Sequence, residues 1–413
     1  MSESNIWITS TKSPFFSTVS FVVVFLVVLF VNTFSSKLSL SSFVHRNSSS
    51  YHLVLPRSKT NYSTPIIEDN FPCIEPIQLH SNLGKFTRNR TSNKVDIDHH
   101  IELLNSINLN GSEFEFRVKE FLSQNECMAQ FFMIWISPAC LFKRRAFLAM
   151  ESVFNSHPRG CLVILSKSMD TQNGSQILKP IVDHGYKVLA VEPNLTFLFK
   201  DTPAETWLNA IKTGLIDPGK ISLVQNLSNL MRLAVLYKYG GVYIDTDFIV
   251  LRNFSNLRNA IGAQGIDEFG NWTRLNNAVL VFDKNHELVY KFMEEFANNF
   301  NGNIWGFNGP YLVSRVVEKE GNNYSEIKLR ILPPRVVYPV NWIDVASYFE
   351  KPRNVTHLKW MDEEVLELNR EAYGVHLWNK KSGKLIIEVG SILYRLISSH
   401  CIICQLHERS END

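Results

Sequence analysis

Asp245 and Asp247 stand two residues apart at the end of a short apolar run, Val242 to Ile244. A regular strand puts two such side chains on one face, and a turn beginning at Thr246 brings them together as well. Neighbouring carboxylates repel unless a proton or a cation separates them. The direct chemical use of the pair is therefore to hold a divalent metal that carries substrate phosphates. A bare Asp-x-Asp also occurs in surface turns, but here Phe248-Ile249-Val250-Leu251 follows, so the acids interrupt buried structure.

The segment before the acids has to place them. Leu223, Leu227, Leu230 and Ala234 recur at helical spacing, with Met231 and Val235 widening the apolar face and Gln225, Asn229 and Arg232 forming a polar stripe. Gly240-Gly241 stops this helix, because glycine takes the positive-φ conformation common at helix ends, and a short buried strand then delivers the two acids.

Read from Ser228-Asn229 to Asp247, the segment resembles the metal-binding core of glycosyltransferases with a nucleotide-sugar-binding α/β domain. The closest likeness is to the alpha-1,4-galactosyltransferase and alpha-1,4-N-acetylglucosaminyltransferase family, and Trp305-Gly306-Phe307-Asn308-Gly309-Pro310 and His376-Leu377-Trp378 carry it further along the chain. The resemblance implies a single GT-A type α/β domain. It also implies a retaining transferase that moves a hexose or N-acetylhexosamine from a UDP-linked donor with Mn²⁺, onto a glycan, glycolipid or glycoprotein acceptor. Asp245, Asp247 and His376 are the implied metal ligands, and Asp245, Asp247, Arg232 and Asn308 the implied catalytic set. Asn229, Gly241, Tyr243, Asp245, Trp305, Gly306, Gly309 and His376 are the implied donor-binding set.

The residues themselves leave alternatives open. Arg232 can pair with a donor phosphate or lock Asp245. His376 suits a metal, a leaving phosphate or an ordinary buried hydrogen bond. Asn308 belongs either to a sugar site or to an aromatic turn that plugs the core, and Asn276 and Asn277 either contact ligand or cap a strand. Trp135 lines a nucleotide pocket or packs the core, His157 reads as a turn residue, Ser166 and Ser168 close a strand, and Lys380 and Lys381 belong to a hydrated surface run or a diphosphate site. Two positions depart from the family: Asn229 stands where an acid is common, and Phe307 where a histidine is found. These departures motivate a second reading, a lumenal carbohydrate-binding protein on the same scaffold.

At 413 residues and a net charge of +2, the chain can bury a large core and has no broad basic surface for nucleic acid. Residues 15–34 form an uncharged span of about 20 residues, enough to cross a bilayer and long for a cleaved signal. The expected order is a short cytoplasmic tail (1–14), a signal-anchor (15–34), a stem rich in Ser, Asn and Thr (35–113) and a lumenal catalytic domain (114–413). The resemblance places this in the Golgi membrane as a type II protein and leaves a homodimer open. Sequons at Asn47, Asn61, Asn89, Asn110, Asn173, Asn194, Asn226, Asn253, Asn271, Asn323 and Asn354 agree with a secretory glycoprotein, Asn226 and Asn253 being poorly placed for a glycan. The six cysteines suit lumenal disulfides of undetermined pairing, Cys401-x-x-Cys404 included.

Strands are expected at 131–136, 161–166, 186–191, 260–264 and 276–282, alternating with helices at 142–154, 180–184, 288–300 and 311–317. Glu294 and Glu295 read as a solvated helix face, residues 332–342 as extended chain around a proline turn, residues 373–379 as a strand-like piece, and 389–397 as a final packed helix.

Overall fold

The computed structural model describes Leu104 and residues 111–321 and 326–403. It turns the apolar runs into a mixed α/β fold around a seven-stranded sheet of order β3-β2-β1-β4-β7-β6-β8. After α1 (Gly111–Gln124), the strands β1 (Ala129–Ile134), β2 (Gly160–Leu165) and β3 (Lys187–Val191) run parallel, joined by α2 (Arg144–Ser156) and α3 (Gln172–Asp183). The chain then passes through α4 (Leu195–Phe199), α5 (Pro203–Lys212) and α6 (Leu223–Tyr239) before β4 (Gly241–Ile244) pairs with the free side of β1, also parallel. Strand order reverses between β1 and β4, and the crevice beyond the C-terminal ends at such a point is where α/β sheets bind ligands.

Alternation along the strands supplies two cores. Phe132 and Tyr243 pack with Trp207, Leu230 and Phe292 on one face, while Phe131, Met133, Val242 and Ile244 pack with Phe154 and Ile181 on the other. Beyond β4 come β5 (Phe248–Val250), β6 (Ala260–Ile266) and β7 (Trp272–Phe282), and β7 lies antiparallel to both β4 and β6. Then follow α7 (Glu287–Asn298), α8 (Pro310–Lys319), β8 (Arg330–Leu332), α9 (Pro334–Val337), α10 (Val355–Glu371), β9 (Gly374–His376), α11 (Asn379–Ser382) and α12 (Ile392–His400). The small β5-β9 pair matters most for the site, since it sets Phe248 opposite His376. Gly374 is required there, because a Cβ would fall 2.2 Å from the Phe248 ring.

Three local expectations are corrected. The helix expected at 180–184 begins at Gln172, where the Thr171 hydroxyl accepts from the Gly174 N–H, and it carries Pro180 inside it. The stretch expected to be extended contains the helical turn α9, started by Pro334 at its first position and closed by Tyr338 N–H donating to Pro334 O at 2.7 Å. Glu295 is not solvated: α8 brings Arg315 and Lys319 to 2.9 and 2.8 Å of its carboxylate, and the side chain is only 7% exposed.

Cys127 and Cys161 are joined, and Cys140 and Cys401 are also disulfide-bonded, while Cys73 and Cys404 lie outside the described residues. The expected membrane span 15–34 lies outside them too, as does nearly all of the stem. Among the described residues no helix is long and apolar enough to cross a membrane.

Candidate active site

The end of α6 fixes the first half of the site. Gly240 takes φ 70° and ends the helix, so β4 starts at once, holds Tyr243 within the sheet and carries Asp245 and Asp247 past its end. The Asp245 N–H donates to Ala278 O at 2.8 Å and the Asp245 carbonyl accepts from Phe248 N–H, making the turn that brings both carboxylates to one place.

Arg232, only 3% exposed, reaches Asp245 from α6 at 3.0 Å. Its guanidinium also donates to Asn277 O at 2.8 Å and lies 4.4 Å from the centre of the Tyr243 ring, while the Tyr243 hydroxyl donates to Asp245 Oδ1 at 2.7 Å. Burial, the largest single influence, opposes the Arg232 charge, but Asp245 together with Tyr243 and Tyr338 outweighs it and raises the guanidinium further above its ordinary range. Of the two sequence alternatives, the structure has Arg232 locking Asp245.

The second half comes from the other end of the chain. β9 places His376 Nε2 3.1 Å from Asp247 Oδ1 and 3.9 Å from Asp245 Oδ2. Asp247 Oδ2 accepts from the Asn379 N–H at 2.8 Å, across 132 residues of sequence. Trp378, in the left-handed region at φ 53°, makes that turn possible, and its indole donates to Val340 O and packs edge-on against His376 at 4.3 Å. Burial alone would lower the His376 pKa, yet Asp247 and then Asp245 hold it up to about 9. Burial alone would raise Asp247, and His376 holds it below its ordinary value. The approach of imidazole to carboxylate is close but not aligned, so both ring nitrogens of buried His376 lack a hydrogen-bond partner. One ligand atom from each of Asp245, Asp247 and His376 lies within 4.8 Å of the others. Two carboxylates and an imidazole with unsatisfied nitrogens fit a divalent cation.

These groups line a cavity of about 670 Å³ together with Asn229, Tyr243, Trp305 and Gly306. The remaining expected residues sit behind its wall. Asn308 is buried and satisfied: its amide nitrogen donates to Asn226 Oδ1 and Asn301 O, and its Oδ1 accepts from Asn301 N–H. Gly309 caps α8 and lets Asn229 approach, since a Cβ there would stand 3.0 Å from Asn229 Oδ1. Gly241 packs against Gln130 of β1. Asn229 accepts from Asn277 Nδ2 at 3.0 Å, a neutral positioning bond. The Phe307 ring lies under Arg315 at 4.1 Å and does not line the cavity.

Trp135 lines the cavity as well as packing on Phe142, whereas His157 is structural, donating to Val153 O and accepting from Phe254 N–H. Sequence reading missed the Asn379 N–H, which has no side-chain signature, and Arg274, Tyr311 and Trp342 in the cavity wall. Arg274 had a signal: it alternates with Asn276 and Ala278 along one strand face.

The family described as "Alpha 1,4-glycosyltransferase conserved region" matches residues 281–407, and the "Glycosyltransferase sugar-binding region containing DXD motif" matches 143–265. Human lactosylceramide 4-alpha-galactosyltransferase is 34% identical over 275 residues, 63% of this chain and 69% of that protein. The chain belongs to the alpha-1,4-glycosyltransferase family. Human alpha-1,4-N-acetylglucosaminyltransferase is 27% identical over 215 residues, covering 49% of the chain and 57% of that relative. An uncharacterised Arabidopsis thaliana protein is 31% identical over 292 residues, 69% of this chain, and the chain spans only 43% of its length. In this family member the aspartates come from the sugar-binding region and His376 from the conserved region, so the Asp245–Asp247–His376 cluster joins the two.

Proposed function

We propose that the chain is a GT-A type, metal-dependent retaining glycosyltransferase. It moves a hexose or N-acetylhexosamine from a UDP-linked sugar to a hydroxyl of a glycan, glycolipid or glycoprotein, with alpha linkage. The observation that carries this reading is the convergence of Asp245, Asp247 and His376 in one cavity of about 670 Å³. These three residues would hold Mn²⁺, which when bound stabilises negative charge on the departing diphosphate. Asp247 is aimed by the Asn379 N–H, and Asp245 is held by Arg232 and the Tyr243 hydroxyl. Asn229 and the Trp305-Gly306 segment face the same space and position the donor.

Retention is what the family resemblance implies, and it agrees with Asp245 and Asp247 being, among the described residues, the only carboxylates lining the cavity, both engaged at the cation site. The acceptor hydroxyl then attacks on the leaving group's side and passes its proton to a departing β-phosphate oxygen.

The setting follows from the same reading: a Golgi membrane protein of type II, with this domain lumenal. The Cys127–Cys161 disulfide supports an oxidising compartment. Asn173, Asn271 and Asn354 are exposed and would take glycans, whereas the Asn253 amide nitrogen is held by Ser156 O and Asn194 and Asn226 are buried.

The test is an array of nucleotide sugars, with and without Mn²⁺, scored by protection of the full chain against thermal unfolding. A UDP-sugar should protect only with the cation and be slowly hydrolysed, and Asp247→Ala should abolish both while remaining folded. Equal protection with and without metal, or an unaffected Asp247→Ala protein, would refute the reading.

A further inference from the structure

The cavity holds more positive charge than its two acids need. Arg232 pairs with Asp245, and Arg274, Lys380 and Lys381 also line the wall. The lysines directly follow Asn379, the residue whose N–H binds Asp247, and Lys380 Nζ lies 2.9 Å from the centre of the Trp305 ring and Lys381 Nζ 4.8 Å from that of Trp342, which groups them with the cation end.

Arg274 stands apart from them. Ala278, Asn276 and Arg274 alternate along the cavity face of β7, and Ala278 is the residue bonded to Asp245. At about 3.4 Å per residue, Arg274 lies roughly 14 Å along the strand from that point. Its guanidinium sits 4.5 Å from the centre of the Tyr311 ring, and among the described residues it forms no ion pair and no hydrogen bond. Tyr311 is 38% exposed, and the chain at Gly306 folds against its ring. The Tyr311 ring carries the guanidinium on its face, and a guanidinium with its donors free matches the two oxygens of a carboxylate.

We propose that Arg274, seated on Tyr311, recognises the acceptor by binding the carboxylate of an acidic sugar. The inference rests on the transferase reading, in that it places the acceptor at the end of the cavity away from the cation. Arg274 is a specificity residue and takes no part in the reaction itself.

The experiment compares a uronic-acid-terminated oligosaccharide with its carboxyl-reduced counterpart, using the full chain. Transfer is measured with the nucleotide sugar that gives the largest thermal protection, and binding of each oligosaccharide is measured alone by calorimetry. The carboxylated acceptor should have at least about a tenfold lower KM and Kd, in line with a charge-assisted bond. Arg274→Gln should erase the difference, and Arg274→Lys should restore part of it, with thermal protection by the donor as in the unaltered chain. Equal use of the two acceptors, a preference that survives Arg274→Gln, or better use of a sulfated than a carboxylated sugar would overturn the assignment. If no donor is turned over, the transferase reading fails, and the calorimetric comparison still decides what Arg274 binds.

Discussion

His376 Nε2 lies 3.1 Å from Asp247 Oδ1, and the antiparallel pairing of β9 with β5 is what puts it there. The imidazole closes a cluster that the Asp-x-Asp segment only begins. Replacing it should therefore damage cation binding before it damages the fold. His376→Ala is expected to weaken Mn²⁺ binding by at least the roughly 10- to 100-fold that loss of a mere supporting residue costs a metal site. Calorimetric titration of the metal alone measures this, and unchanged affinity would remove His376 from the ligand set.

The Arg232–Asp245 pair should respond asymmetrically. Arg232 is 3% exposed and Asp245 24%, so removing the acid strands a buried cation, while removing the arginine leaves an acid that water still reaches. Asp245→Ala is expected to cost roughly 3 kcal/mol or more of stability in chelator, and Arg232→Met distinctly less. Urea unfolding of both variants gives the comparison. The reverse order would mean that the pair is not what holds Arg232.

Asn308 is predicted to matter for stability ahead of the chemical step. Its removal leaves Asn226 Oδ1 and the Asn301 N–H and carbonyl short of partners in a buried setting, at about 1–3 kcal/mol for each orphaned group that water cannot reach. Asn308→Ala should unfold at lower temperature yet keep its turnover per folded molecule within a few-fold. A large fall in kcat at full stability would instead give Asn308 a direct role.

Acid should destabilise the domain through His157. Burial pushes its pKa down to about 4 against an ordinary 6.5, and the bond to Val153 O only partly offsets this. Between these values the unfolded chain binds the proton and the folded one does not, so stability rises with pH across the window and is lost as pH falls from about 6.5 to 4. The full loss is roughly 3 kcal/mol. His157→Gln should flatten that part of the stability–pH curve, and an unchanged slope would assign it to other groups.

Much of this molecule could be read along the chain because local rules were in force. The apolar spacing of α6, the glycine stop and the short strand form within 25 residues, and Asp245 and Asp247 inherit their placement from them. Elsewhere the local signal was thin. α10 buries only Met361 and Leu368, too narrow a stripe for helical periodicity to announce. Glu295 looked like a solvated acid because its partners, Arg315 and Lys319, lie on the next helix.

By itself the sequence determined the α/β alternation, the strand that carries the two acids and the identity of His376 as a candidate ligand, since periodicity, glycine stops and residue chemistry are local properties. Only the tertiary structure decided that Arg232 locks Asp245, that Asn308 stands behind the cavity wall, and that the Asn379 N–H aims Asp247. Those outcomes depend on which backbone donors and acceptors meet across more than a hundred residues or between neighbouring helices, and residue types alone do not fix such meetings.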